Sequence, residues 1–320
     1  MAVTTSRVVP GPHVPATRRK KGLLREMGRH WADYLYIAPA LLVMLAVIGY
    51  PIYYTVYLGF FNTPASLAMA DKIWVGLDNY DRILRSENFR DVTQNTLIWT
   101  IFSTFFAFVL GLAAALVVHR EFIGRGIVRG ILLIPYVISA VSAGYIWRWL
   151  YHSDFGLISG MLIRMNIIDD RIIFLDSVDR VMASLIVANV WKEFPFAMIM
   201  LLAGLQTVPE QLHRAAMIDG AGTWSRFWHV TVPHLKGVIL ITSLLLLVTN
   251  LNSFTTVWIM TGGGPAGASE IWITEIYQIA FGRTRFGLAS AYSVILFIVM
   301  MSLGYFYVKA LTRGDKRRPA

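Results

Sequence analysis

The sequence has no cysteine, which excludes disulfides, thiolate-bound metals and cysteine nucleophiles. Charge is scarce too: 15% of the 320 residues are charged, and acids are the rarer sign, 19 against 29 bases. No Gly-x-x-x-x-Gly-Lys-Ser/Thr run occurs, so there is no phosphate cradle of the P-loop kind. Gly262-Gly263-Gly264-Pro265 is glycine-rich but lacks the lysine and reads as a turn. The histidines (His13, His30, His119, His152, His213, His229, His234) are scattered with no His-x-x-x-His pair, so no metal site is expected. No carboxylate pair sits in a setting that suggests hydrolysis. These absences point away from an enzyme.

What is abundant is apolar: 56% of residues are hydrophobic and the mean hydropathy is +0.56, more than a soluble core of this length needs. The fold class expected is an all-α integral membrane protein. Six stretches are long and apolar enough to cross a bilayer: Tyr34 to Phe61, Thr93 to Val118, Ile127 to Leu150, Val181 to Leu205, Gly237 to Met260 and Leu288 to Leu311. Lys and Arg set the orientation. They crowd the N-terminal tail (Arg7, Arg18 to Lys21, Arg25, Arg29), the loops with Arg120, Arg125, Arg129, Arg214, Arg226 and Lys236, and the C-terminal end from Lys309 to Arg318. The alternate loops hold Asp71, Asp78, Asp81, Asp154, Asp169, Asp170 and Asp176. Both termini are therefore expected in the cytoplasm, and the net charge of +10 is a topology signal, not a nucleic-acid patch. The domain reading is a basic tail with a short interfacial helix (1–33), a six-helix domain (34–311) and a second basic tail (312–320). The first ~15 residues, with Pro10, Pro12 and Pro15, are expected to be disordered.

Polar residues inside spans must face protein or a water-filled path. The fourth span holds Lys192 and Glu193, which point about 100° apart on a helix and so need separate partners, and Pro195, which frees backbone carbonyls. The fifth holds Asn250, Asn252, Ser253, Thr255 and Thr256, with Phe254 and Trp258 at i and i+4. Amides, hydroxyls and rings together suit a neutral polyhydroxylated solute. The alternative is that they only hold helices together.

The segment from Pro209 to Pro233 is polar enough to leave the membrane. Pro209 suits a first helical turn, and Gly220 to Gly222 interrupt the helix. Thr223 is placed to cap a second helix that puts Trp224, Phe227 and Trp228 on one face before Pro233 stops it. It reads as a docking element or as a loop lying on lipid headgroups.

That segment, GLQTVPEQLHRAAMIDGAGTWSRFWHVTVPHL, resembles the cytoplasmic "EAA" loop of bacterial ABC importer permeases, with Asp219-Gly220-Ala221 and Pro233 in the family's places. Val75 to Tyr80 with Asn95-Thr96, Ile134-Pro135-Tyr136, Ile146-Trp147-Arg148, Leu202 to Leu205 and Thr261 to Pro265 are similar to the carbohydrate-importer branch. The resemblance implies a six-helix type I importer permease (MetI-like) fold in a bacterial inner membrane. It implies a second, usually different permease, two ABC ATPase subunits that bind the ATP and Mg, and an extracytoplasmic solute-binding protein; no cofactor is expected in this chain. By position, Arg214, Ala215, Ala216, Asp219 and Gly220 would contact the ATPase from a loop spanning 206–234, with Arg214 where the family has its glutamate. Asn189, Trp191, Glu193 and Phe196 on one wall, and Asn250 and Ser253 on the other, would line the path of a di- or oligosaccharide. Another solute, such as a glycerol phosphate or polyol, is the alternative, and a membrane enzyme acting on lipid-linked sugars a distant one. A secondary carrier working alone is disfavoured, because no pair of broken helices is evident at matching positions in two halves and such a carrier would not need so elaborate a cytoplasmic loop.

Overall fold

The computed structural model describes residues 31–63 and 72–315, with the side chains of 31–34 and 310–315 left out. The expected disordered start and the interfacial helix up to Trp31 lie outside the described residues. The chain divides into two units, residues 1–54 and 55–320. In the first, α1 (Trp31–Met44) passes through a π turn, Leu45–Gly49, into α2 (Tyr50–Leu58), and Leu35–Leu58 is long and apolar enough to cross a membrane.

The second unit opens with a short hairpin. β1 (Phe61–Asn62) pairs antiparallel with β2 (Ile73–Trp74), Phe61 opposite Trp74. The Asn79 amide donates to the carbonyls of Gly59 and Phe61 at 3.0 and 2.9 Å, tying the hairpin to α3 (Asp78–Arg85). Ser86 caps α4 (Glu87–His119) by accepting the Phe89 N–H at 3.1 Å.

Why α4 packs closely on α8 (Val181–Leu205) is visible in its sequence. Ser103, Ala107, Gly111 and Ala115 recur every fourth residue, all buried, so one helix face is small along its length and the backbones approach. A methyl group at Gly111 would sit 2.5 Å from Ala197 Cβ and 2.8 Å from the Phe194 carbonyl. Around this seam Ala107, Val118, Met198, Leu201, Leu235 and Leu246 form one buried cluster.

Two expected spans are broken. The third consists of α5 (Arg125–Val137) and α6 (Ala140–Leu150), bent by 94°. Ser139 is extended (φ −60°, ψ 148°) and accepts the Ser142 N–H at 3.1 Å, so its hydroxyl starts a new helix where one continuous span was expected. The fifth is α11 (Val232–Leu251) followed by α12 (Phe254–Thr261), interrupted at Asn252 and Ser253. Both breaks fall where continuous spans were expected. Ser, Asn and their local bonding offer the backbone an alternative to the helix, and apolar length alone does not register that. Among the described residues five helices can cross a membrane singly, six spans if the bent pair counts as one. The last helix, α14 (Phe286–Asp315), runs past the boundary at residue 311 expected for the tail. Between the spans lie α7 (Leu157–Arg164), α9 (Glu210–Ile218), α10 (Thr223–Arg226) and α13 (Trp272–Tyr277).

Candidate solute path and docking loop

The fourth span faces three neighbours at once. Asn189 is buried and donates its amide to Asn250 Oδ1 at 2.7 Å; Asn250, fully buried, donates to Thr104 Oγ1 at 3.1 Å. The Trp99 indole N–H reaches the Asn250 carbonyl at 3.0 Å. These amides join α8, α11 and α4 and are occupied by one another, which is the helix-binding alternative for this pair. Lys192 Nζ donates to the Tyr136 carbonyl at 2.9 Å and lies 5.5 Å over the Tyr136 ring. It thereby satisfies a carbonyl that the end of α5 leaves without a helical partner. Phe196 stacks on the same Tyr136 at 6.1 Å. Glu193 is half-buried and makes no hydrogen bond or ion pair among the described residues.

Trp191 does not join that wall. It meets Trp147 of α6 edge-on at 5.7 Å and lines a groove of about 1200 Å³ along α4 and α8, with Phe102, Phe106, Leu110 and Val187 along its length and Asp91 and Asp179 near the starts of the two helices. Of the six path residues, Phe196 faces α5, Glu193 stands half-buried, Trp191 lines the groove, Asn189 and Asn250 bind each other, and Ser253 stands half-buried at the break before α12. There, Phe254 and Trp258 stack at 5.4 Å as their i, i+4 spacing implies, and Tyr277 closes on both at 4.9 and 4.7 Å.

The docking segment folds as two helices with a turn. Pro209 is extended and precedes α9. The helix stops with Gly220 at φ +79° while the Ala221 N–H bonds the Ala216 carbonyl at 2.9 Å, a Schellman stop that a β-carbon resists. The second helix is capped from Gly222, not Thr223, and Pro233 does not end it. A π turn, Phe227–Thr231, lets the Val232 N–H bond the Phe227 carbonyl, and the ladder continues past the proline into α11. Trp224, Phe227 and Trp228 do form one cluster, with ring centres 5.3–5.8 Å apart. Ile218 and Trp224 are largely exposed. Arg214 pairs with Glu210 of its own helix at 3.6 Å, both side chains in solvent.

Sequence reasoning missed a buried acid cluster on the far side of α12. Glu275 is buried and its Oε1 accepts from Asn88 at 2.9 Å and Arg283 at 3.1 Å. Glu270, also buried, lies beside it with Oε1 unpartnered. Burial, then the adjoining Glu275 carboxylate, pushes the Glu270 carboxyl up to about 7, against the pull of Arg283. The motif residues Asn95 and Thr96 anchor the same region: Asn95 donates to the Gly267 carbonyl at 3.1 Å and Thr96 Oγ1 accepts the Trp272 N–H at 2.9 Å. No periodicity or spacing signals a pairing across such sequence distances.

The chain is 32% identical to the trehalose/maltose transport system permease protein MalF of Thermococcus litoralis, over 86% of this chain and 92% of that one. It is 34% identical to the trehalose transport system permease protein SugA of Mycobacterium tuberculosis, over 86% and 87%. It is 30% identical to the sulfoquinovosyl glycerol transport system permease protein SmoG of Agrobacterium fabrum, over 91% and 93%. Its fold is that of a chain in a bacterial ABC transporter involved in import of the acidic polysaccharide alginate, with a TM-score of 0.77, 23% identity and coverage of 91% and 98%. Residues 107–314 match the family model for these transporters. With α4 to α14 folded as described, the chain belongs to the family of binding-protein-dependent transport system inner membrane components.

Proposed function

We propose that this chain is the permease subunit of an ATP-driven importer of neutral di- or oligosaccharides. The observation that carries the reading is its likeness, along most of both chains, to permeases of trehalose and maltose transport systems. It supplies half of the path and no chemistry. A second permease supplies the other half, two ATPase subunits bind ATP and Mg, and an extracytoplasmic solute-binding protein delivers the sugar. The basic excess supports placing both termini and the Pro209–Pro233 segment in the cytoplasm, where Arg214 to Gly220 and the exposed Ile218 and Trp224 meet the ATPase. ATPase closure then favours one permease conformation and shifts the population.

Glu193 and Phe196 on α8, with Tyr136 of α5 and Ser253 at the break before α12, are assigned to the solute face. Lys192 donates to the Tyr136 carbonyl and keeps its positive charge, while the neighbouring Glu193 supplies the compensating negative charge and has capacity to accept hydroxyl hydrogens. That balance favours an uncharged sugar over a glycerol phosphate or acidic saccharide. The test is uptake by proteoliposomes holding the complete transporter with its binding protein. Labelled trehalose or maltose should accumulate with ATP, and Ser253→Leu should cut the rate several-fold without loss of assembly. ATP hydrolysis by this chain alone, or uptake of anionic sugars only, would overturn the reading.

A further inference from the structure

Two sequence motifs far apart in the chain meet at a cavity that the path does not use. α6 ends at Leu150 and α12 at Thr261; the helices pack so closely that a methyl group at Gly144 would lie 3.0 Å from Ile259. Arg148, of the Ile-Trp-Arg motif, donates Nη1–H to the Ile259 carbonyl at 3.3 Å. Beyond these helix ends lies a cavity of about 560 Å³ between Arg148, Tyr151, His152, Asp176, Trp258 and the turn from Thr261 to Pro265. The volume is within the roughly 300–1,000 Å³ of small-molecule sites.

Its polar groups have capacity to spare. Arg148 uses one N–H on Ile259, leaving the rest of its guanidinium free. Asp176 is exposed and has no side-chain partner among the described residues. His152 Nδ1 accepts the Asp154 N–H at 3.2 Å, which places the ring proton of the neutral imidazole on Nε2 as a donor. Trp258 is held in orientation by Phe254 stacked at 5.4 Å and Tyr277 at 4.7 Å. One guanidinium and one carboxylate compensate in charge, so an anion meets Asp176 and a cation meets Arg148. A neutral ligand with vicinal hydroxyls satisfies both, as donor to Asp176 and acceptor from Arg148 and His152.

We propose that this cavity is a second saccharide site, at the mouth of the permease, that holds a neutral sugar before it enters the path between α5, α8 and α12. The proposal rests on the sugar-importer reading and adds to it a waiting position distinct from the Glu193–Phe196 wall. Occupied, the site raises the local concentration of sugar at the entry; it contributes to KM rather than to the coupling of ATP hydrolysis.

The complete transporter, purified without its binding protein and without ATP, is titrated with labelled trehalose and maltose by equilibrium dialysis. The expected result is weak saturable binding, reduced at least fivefold by Asp176→Ala and by His152→Ala. Glucuronate should not compete. In proteoliposomes with the binding protein, Asp176→Ala should raise KM several-fold with little change in maximal rate. Asp176 is an exposed loop residue, and unchanged gel-filtration and ATPase behaviour identifies a folded variant. If sugar is imported but both variants bind and transport as the parent does, or if the parent binds no sugar, the second site is refuted and the importer reading stands. If no neutral sugar is imported at all, the importer reading itself fails, and the site with it.

Discussion

Replacing Asn189 and Asn250, singly and together, separates an amide used for packing from an amide used for solute. The two side chains are 2% and 0% exposed and share a 2.7 Å hydrogen bond; Asn250 makes a second to Thr104 at 3.1 Å. Asn250→Leu keeps the branched shape but deletes both bonds and strands the Asn189 amide. Interhelical hydrogen bonds in membrane proteins average about 0.6 kcal/mol and reach about 1.7, and an abandoned buried donor costs about 1–3 kcal/mol more. Asn250→Leu should therefore cost about 2–3 kcal/mol, and Asn189→Leu, which removes one bond, about 1–2 by the same figures. In the double variant no amide is left stranded, so its loss should fall short of the sum by about 1 kcal/mol. The assay is thermal unfolding of the assembled transporter in nanodiscs, with sugar uptake measured in parallel. Additive losses would deny that the two amides act on each other. A double variant of near-parental stability whose uptake is abolished would place the amides against the solute and refute the packing argument.

Gly220 sits at φ +79° with nothing within 4 Å of where a β-carbon would be, so a side chain there meets strain and no clash. Gly220→Val should cost about 1–2 kcal/mol at the helix stop and weaken ATPase copurification and sugar-stimulated hydrolysis, while Gly220→Asn, tolerated in this conformation, should retain more of both; equal behaviour of the two variants would contradict the docking role. At Glu270 the folded chain holds its proton more tightly than the unfolded chain, because the carboxyl is raised from 4.5 to about 7. Stability should therefore fall as pH rises from about 4.5 to about 7 and level off above that. Glu270→Gln should flatten the melting temperature across that window, and a slope equal to the parent's would show that Glu270 is not the group responsible.

Much of the fold was legible because it depends on apolar length. The span expected over Val181–Leu205 coincides with α8, those beginning at Thr93 and Leu288 fall within helices that extend them by a few residues, and the second loop helix presents its three rings as spacing implies. What was not legible depends on partners distant in sequence. The break at Ser139 follows from a hydroxyl that caps a new helix, and the hydropathy of Ile127 to Leu150 is blind to it. The passage through Pro233 follows from a π turn, which composition does not encode. Trp191 and Glu193 are two residues apart, so they face different neighbours; a motif treats them as one wall. Asn250 was recognised as out of place in lipid and Asn189 was placed by resemblance, but only the 2.7 Å bond between them shows that each is the other's reason.

The cations near the broken helices follow one rule. Arg125 Nε donates to the Val118 carbonyl at 2.6 Å, Lys192 to Tyr136 at 2.9 Å and Arg148 to Ile259 at 3.3 Å, so each closes the C-terminal turn of a different helix, α4, α5 or α12. Positive charge is favourable there because the last carbonyls lack helical partners and carry the negative end of the helix dipole. Of the three, the Tyr136 carbonyl lies at a broken span, where no water reaches it, and Lys192 supplies the partner that the break removes. Lys192 thus has a structural assignment, a partner separate from Glu193, as the roughly 100° between their directions on the helix requires. Glu193 has no such assignment: among the described residues it accepts no hydrogen bond, and the Lys192 ammonium interacts with it only at a distance. A carboxylate held within a span without a structural partner is costly, and the return on that cost has to come from something that visits the path, which makes Glu193 the position where a change of side chain should change which sugar passes.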